Sequence, residues 1–148
     1  PLKPGAQPGV TWCNEAADAI IIELGRDLRD IYDRKYWTIK WTDCDELYDH
    51  ALELSKNPAS HIQEVTPEQA WNLAKNGVPV LAVAKGVGRE VGHAGVVFPT
   101  EDPTDRHDPY IGQSGANPGI RRLSESFQKF GLSPKLFISV RFKQNEKA

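Results

Sequence analysis

The spacing of apolar residues changes at Gly77, and this change constrains the fold more than any other feature of the chain. Upstream, apolar residues recur every three or four positions, which is the period of helices. Downstream, they form short runs typical of strands, over residues 78–84, 92–98, 109–114 and 136–142. A helical pattern over 123–130 separates the last two runs. Helices followed by hairpin-spaced strands predict an α+β domain with an antiparallel sheet and a helix packed on one face.

The stretch GVTWCNEAADAIIIELG, residues 9–25, predicts the first helix. Thr11 is a suitable N-cap, and Gly25 is a suitable C-cap. One face of this helix collects the residues Cys13, Ala16, Ala17, Ile20, Ile21 and Leu24. Ile22 lies on the other side, so we expect protein to surround most of the helix. The prolines within residues 1–10 predict an extended lead-in.

Further helices and one strand are expected before the change of period. A helical region begins near Arg26, and it resumes over 42–54 after a loop rich in aromatic residues. A short strand is expected over 60–65. The segment TPEQAWNLAKNG predicts a helix with a complete capping box, in which Thr66 is the N-cap and Gln69 is the third helical residue.

Length and charge limit the functional classes. With 148 residues, 39% of them hydrophobic, the chain has the size of a single domain spanning 1–148. The formal charge of −2 and the dispersed basic residues argue against binding to nucleic acid or to an anionic membrane. No apolar run approaches the roughly 20 residues that a membrane span requires. We expect the two cysteines, Cys13 and Cys44, to be thiols.

Cys13 is placed by the predicted cap at the second position of the first helix. There the unpaired amides of the first turn and the positive end of the helix dipole favour a thiolate. The same amides could stabilise the oxyanion of a tetrahedral intermediate. A buried cysteine in an apolar stripe is the alternative explanation, because free cysteine is among the most buried residue types.

His93 begins a strand that is otherwise small and apolar, within GHAGVV. By alternation His93, Gly95 and Val97 share one face of the sheet. We expect Gly95 to leave space on that face for the end of the first helix beside the imidazole. Such an arrangement could bring a general base within about 3 Å of a nucleophile. A histidine pointing to water is the alternative.

A cysteine and histidine pair usually needs a third group that orients the imidazole. Gln113 lies in the strand PYIGQSG and could accept a hydrogen bond from His93. Asp108 and Asn117, which flank this strand, are the alternatives. A glutamine that faces solvent is the other explanation for Gln113.

Metal and cofactor sites are not predicted. The loop TEDPTDRHDP is acidic, but it lacks the glycine and the terminal carboxylate of a regular calcium loop, which favours a solvated hairpin loop. His50, His61 and His107 do not show zinc-ligand spacing. GVGREVG matches no phosphate-binding glycine pattern.

Four segments follow one another in the chain: TWCN at a helix start, AWNLAKNGVPVLAVAKG, GHAGVV, and GQSGA in a strand. In this order they resemble the papain-like superfamily in its bacterial NlpC-type and CHAP-type forms. The resemblance covers roughly residues 7–114. It implies a papain-like fold in which an N-terminal nucleophile helix packs on an antiparallel sheet. It also implies Cys13 as nucleophile, His93 as general base and then acid, and a polar residue of the next strand as orienter. The NlpC type often has a second histidine in that last position, where this chain has Gln113.

The same resemblance implies a function, namely cleavage of an amide bond in peptidoglycan stem peptides or cross-links through an acyl-enzyme. A peptidoglycan peptide is then the expected partner, and an immunity or inhibitor protein is a further candidate. The protein is expected to be secreted, periplasmic or delivered to the cell wall. Two alternatives remain open, a thiol acyltransferase or deamidase and a catalytically silent wall-binding domain.

Overall fold

The computed structural model describes residues 8–24, 32–33, 38–39, 44–113 and 119–143. The side chains of residues 8–14, 32–33, 38–39, 113 and 143 lie outside this description. The described helices are α1 Pro8–Leu24, α2 Cys44–Ser55, α3 Pro67–Lys75, α4 Leu123–Ser126 and α5 Val140–Lys143. Within these residues, two 3-10 helices span Pro103–His107 and Gln128–Phe130. The described strands are β1 Tyr32–Asp33, β2 Thr38–Ile39, β3 Ile62–Val65, β4 Leu81–Ala84, β5 His93–Val97, β6 Tyr110–Gln113, β7 Gly119–Arg122 and β8 Lys135–Ser139.

Six strands form one antiparallel sheet in the order β3-β8-β4-β5-β6-β7. Leu81 at the start of β4 pairs with Phe137 of β8 on one side and with Val96 of β5 on the other. Val96 in turn pairs with Gly112 of β6. β1 and β2 pair with each other in a separate two-stranded ribbon. The predicted α+β class with an antiparallel sheet is confirmed.

Helices cover both faces of this sheet, where the sequence predicted one helix-covered face. On the first face α1 and α2 pack on the sheet in a core formed by Ile20, Ile21, Leu24, Leu47, Ala51, Ile62, Leu81, Val83 and Phe137. On the second face α3 and the chain around α4 pack in a core that includes Ala70, Leu73, Ala74, Ala82, Ala84, Val97, Ile111, Leu123, Phe127, Leu136 and Ile138. Every residue of β4 is buried, because helices cover both faces of the sheet at this strand. The unbroken apolar run of β4 suits such a position.

α3 forms as its sequence predicts. The Thr66 hydroxyl accepts a hydrogen bond from the Gln69 amide at 3.2 Å, and the Gln69 side chain accepts one from the Thr66 amide at 2.9 Å. Gly77, just beyond the helix, has a φ of +88°, a value that glycine adopts without strain. The predictions of a helix over 42–54 and of a strand over 60–65 are also confirmed, by α2 and β3.

α1 departs from its prediction at its start. It begins at Pro8, so residues 8–10 are helical and Thr11 is an internal residue rather than the N-cap. Proline is tolerated in the first turn because the amide it lacks would be unpaired there. Ile22 is 51% exposed, so protein does not surround the helix as expected. Residues 1–7 and 25–31, which include Gly25 and the start of the helical region predicted from Arg26, lie outside the described residues.

The C-terminal third of the chain differs from its predicted secondary structure in three places. β7 was not predicted, since the sequence GIRR has no apolar alternation. The helix predicted over 123–130 divides at Phe127 into α4 and a 3-10 turn. The strand predicted over 136–142 ends at Ser139, opposite Ile62, where its partner β3 begins. Just beyond that pair the Val140 amide donates a hydrogen bond to the carbonyl of His61 at 2.8 Å, and the chain then turns into α5.

Candidate functional site

His93 is the first residue of β5 and lies opposite Ala84, the last residue of β4. The loop 85–92 joins the two strands as a hairpin at this end of the sheet. The His93 side chain is half-buried. His93 therefore lies at the start of a strand, where the apolar interior meets solvent. This position suits a side chain that exchanges protons.

The His93 imidazole packs against the ring of Phe127, with ring centroids 5.2 Å apart and ring planes inclined by 51°. Phe127 is fully buried in the core on the α3 face. Burial lowers the pKa of His93 from its ordinary value of 6.5, because the charged imidazolium loses hydration in this position. The imidazole is therefore neutral near pH 7, which is the form that accepts a proton.

α1 packs on the face of the sheet opposite to the His93 side chain. Ala16 of α1 packs with Val96 of β5. Val96 and His93 are three positions apart on one strand, and successive strand residues point to opposite faces. The contact between His93 and Phe127 confirms this assignment. The expectation that the first helix lies on the same face as His93 is wrong for the described contacts of α1.

Gly95 has a different role from the predicted one. A β-carbon at this position would lie 2.7 Å from Cγ2 of Ile111 and 2.9 Å from the carbonyl oxygen of Gly112. Ile111 belongs to the core on the α3 face. The missing side chain therefore makes room for the neighbouring strand β6, and α1 does not occupy that space.

Cys13 is the sixth residue of α1, in its second turn, instead of the second helical residue. In an α-helix the amide of residue 13 donates to the carbonyl of residue 9, so it is not among the unpaired first-turn amides. The predicted contribution of this amide to an oxyanion hole is therefore wrong for this helix start. The side chain of Cys13 lies outside the described residues.

The three candidates for the orienting group have different outcomes. Gln113 is the last residue of β6 and pairs with Gly119, but its side chain lies outside the described residues. Asn117 also lies outside them. The Asp108 carboxylate accepts hydrogen bonds from the amide of Ser124 at 2.9 Å and from its hydroxyl at 2.5 Å. Asp108 precedes β6, which begins beside the end of β5, so it is at the far end of the sheet from His93.

The acidic segment 100–109 is structured, which the sequence did not predict. The predicted solvated loop contains the 3-10 helix Pro103–His107, whose N-cap Asp102 accepts a hydrogen bond from the Thr104 amide at 3.0 Å. Asp105 is buried and accepts a hydrogen bond from Arg122 at 2.8 Å. The aspartate–proline pair at the start of this segment is the signal that could have revealed the cap.

Arg122 joins this segment to the sheet. Its guanidinium also donates to the carbonyl of Asp108 at 3.1 Å and lies over the ring of Tyr110, 4.3 Å from the centroid. The hydrogen bond with Asp105 raises the pKa of Arg122 above its ordinary value. These contacts stabilise the start of β6 and the end of β7, and they do not reach His93.

Within the described part of the chain, no group of three or more histidine, cysteine, aspartate or glutamate side chains could hold a metal ion. None of the described helices is both long enough and apolar enough to cross a membrane. The chain matches no family model, no curated protein and no solved structure.

Proposed function

We propose that this protein is a cysteine hydrolase of papain-like type that cleaves an amide bond in peptidoglycan, with Cys13 as nucleophile and His93 as base. The observation that carries the proposal is a half-buried imidazole at the first position of β5, where burial lowers the pKa of His93. The motifs TWCN, GHAGVV and GQSGA support it, since they follow the order expected for such enzymes.

In this mechanism the neutral His93 takes the proton of the Cys13 thiol, and the thiolate attacks the carbonyl carbon of the scissile amide. The tetrahedral intermediate collapses when the carbon–nitrogen bond breaks, and the imidazolium gives its proton to the leaving amine. A water molecule then loses a proton to His93 and attacks the thioester. Collapse of this second intermediate releases the carboxylic acid and restores the Cys13 thiol.

Catalysis places a strict requirement on α1. The α1 side chains that pack on the sheet lie on the face opposite to His93, and the helix contacts both β5 and β6. They are Ala16, Ala17, Ile20, Ile21 and Leu24. The mechanism therefore requires the Cys13 thiol to reach the His93 imidazole from the opposite face of the sheet. Proton transfer needs the sulfur within hydrogen-bond reach of an imidazole nitrogen.

Digestion of purified cell-wall sacculi tests this function. Wild-type protein and Cys44→Ala should release soluble fragments with new amino groups, whereas Cys13→Ala and His93→Gln should release none. Cys44 is the matched control because it is the other cysteine and is buried. Circular dichroism checks that each variant is folded. Full activity of Cys13→Ala would exclude the proposed nucleophile.

A second candidate function is cell-wall binding without cleavage, which does not require the Cys13 thiol to reach His93 from the face on which α1 packs. A wild-type protein that sediments with sacculi and releases nothing would support this second function over the first. A protein that neither binds nor cleaves sacculi would exclude both. Release of ammonia, or transfer of an acyl group to an added amine, would indicate a deamidase or an acyltransferase.

A further inference from the structure

The hairpin that leads into His93 is folded on itself. Val87 and Glu90 form an isolated bridge at its tip, with hydrogen bonds of 3.0 and 2.9 Å between their backbones. Gly88 at the turn has a φ of +59°. At the neck of the hairpin Ala84 pairs with His93. The position of the neck therefore sets where the His93 backbone lies at the end of the sheet.

The first turns of α2 hold this neck. Oδ1 of Asp45 accepts a hydrogen bond from the Gly86 amide at 2.7 Å. One helical turn later, Asp49 pairs with the Lys85 ammonium at 3.0 and 3.2 Å. Both contacts are exposed, but that of Asp45 reaches a backbone amide, whereas that of Asp49 is an ion pair of the kind that contributes little.

Gly92, the residue before His93, lies directly against the same helical turn. A β-carbon at Gly92 would lie 2.8 Å from Cβ of Cys44, 3.0 Å from Oδ1 of Asp45 and 2.8 Å from the carbonyl oxygen of Ala84. Only glycine leaves room for so close an approach. The start of α2 thus contacts the loop 85–92 at both of its ends beside the neck, at Gly86 and at Gly92.

We infer that Asp45 is a positioning residue for His93, since its carboxylate holds the neck of the β4–β5 hairpin and thereby the imidazole in its place beside Phe127. Asp45 acts through Gly86 and Gly92 and touches no reacting atom. Its importance for catalysis rests on the proposed function. Its effect on the position of the imidazole does not, and can be measured separately.

NMR titration of the His93 imidazole in four variants tests the inference. Asp45→Ala and Asp45→Ser remove an acceptor that can reach the Gly86 amide, whereas Asp45→Asn loses the charge but retains an acceptor. We expect the His93 pKa to move toward 6.5 in Asp45→Ala and Asp45→Ser relative to Asp45→Asn, because the imidazole gains exposure to water. Asp49→Ala, which removes only the contact with Lys85, should leave the imidazole resonances in place.

A folded Asp45→Ala variant whose His93 pKa and chemical shifts equal those of Asp45→Asn would overturn the inference. In an active enzyme, kcat should fall about tenfold or more in Asp45→Ala with KM nearly unchanged, because misplacement of a base by about 1 Å is costly. Asp45→Asn should recover most of that rate. If the wild-type protein cleaves nothing, the proposed function fails while the NMR comparison still decides the role of Asp45.

Discussion

His93 and Phe127 pack ring against ring on the α3 face of the sheet, with their centroids 5.2 Å apart. The Phe127 ring keeps water from one side of the imidazole, which is one source of the burial that lowers the pKa of His93. The same contact assigns His93 to the face that α1 does not cover. The lowered pKa of His93, and the need for the Cys13 thiol to reach it from the opposite face, therefore both follow from this one packing arrangement.

The folded protein should lose stability as the pH falls below about 6.5. The unfolded chain protonates His93 near its ordinary pKa of 6.5, whereas the folded chain does so only at a lower pH. Between these two values the unfolded state binds more protons, so acid favours unfolding. Urea denaturation from pH 8 to pH 5 measures this effect. His93→Gln should reduce the slope.

Phe127→Ala should lower the free energy of unfolding by about 3–5 kcal/mol, because it empties a fully buried site. It should also raise the pKa of His93 toward 6.5, since water replaces the ring. Phe127→Leu keeps an apolar side chain of similar bulk and should have a smaller effect on both quantities. Chemical denaturation and NMR titration measure them. An unchanged His93 pKa in Phe127→Ala would show that this ring does not control the imidazole.

Thr66→Ala should destabilise the protein by about 1 kcal/mol, because the Gln69 amide loses its acceptor at the start of α3. Thr66→Ser keeps the hydroxyl and should be nearly neutral. Urea denaturation of both variants at pH 7 gives the comparison. Equal stabilities for the alanine and serine variants would contradict the capping role.

Arg122→Ala should destabilise the protein more than Asp105→Ala does. The first change leaves the buried Asp105 carboxylate without its cation and removes the contact with Tyr110, whereas the second leaves a guanidinium that is already partly exposed. The double variant should recover part of the loss caused by Arg122→Ala. Thermal denaturation at neutral pH measures all three. A greater loss for Asp105→Ala would contradict this account of the pair.

Local sequence signals were sufficient for several elements. Thr66 and Gln69 specify the start of α3 through neighbours in the chain, and short apolar runs identify β4 and β5. The face covered by α1 was not predictable in this way. β5 carries Ala94 and Val96 on one side and Gly95 and Val97 on the other, so both sides are apolar. Alternation then shows which residues share a face but cannot show which face receives a helix.

Contacts between distant parts of the chain account for the other errors. Asp105 is buried because Arg122 reaches it from β7, and no local pattern connects these two residues. β8 ends at Ser139 because its partner β3 begins at Ile62, although LFISVRF alternates beyond that point. For the candidate site, sequence placed His93 at a strand start correctly. The role assigned to Gly95 was wrong, because that role depended on the face of α1.

The rate of Cys13 alkylation by iodoacetamide tests the central claim most directly. The rate is followed at Cys13 by mass spectrometry across pH 5 to 9, in wild-type protein and in His93→Gln, with the buried Cys44 as internal reference. If His93 activates the thiol, Cys13 should react faster than free cysteine below pH 7, and His93→Gln should slow it about tenfold or more. Equal rates in the two proteins, matching those of free cysteine at every pH, would contradict a functional pair of Cys13 and His93.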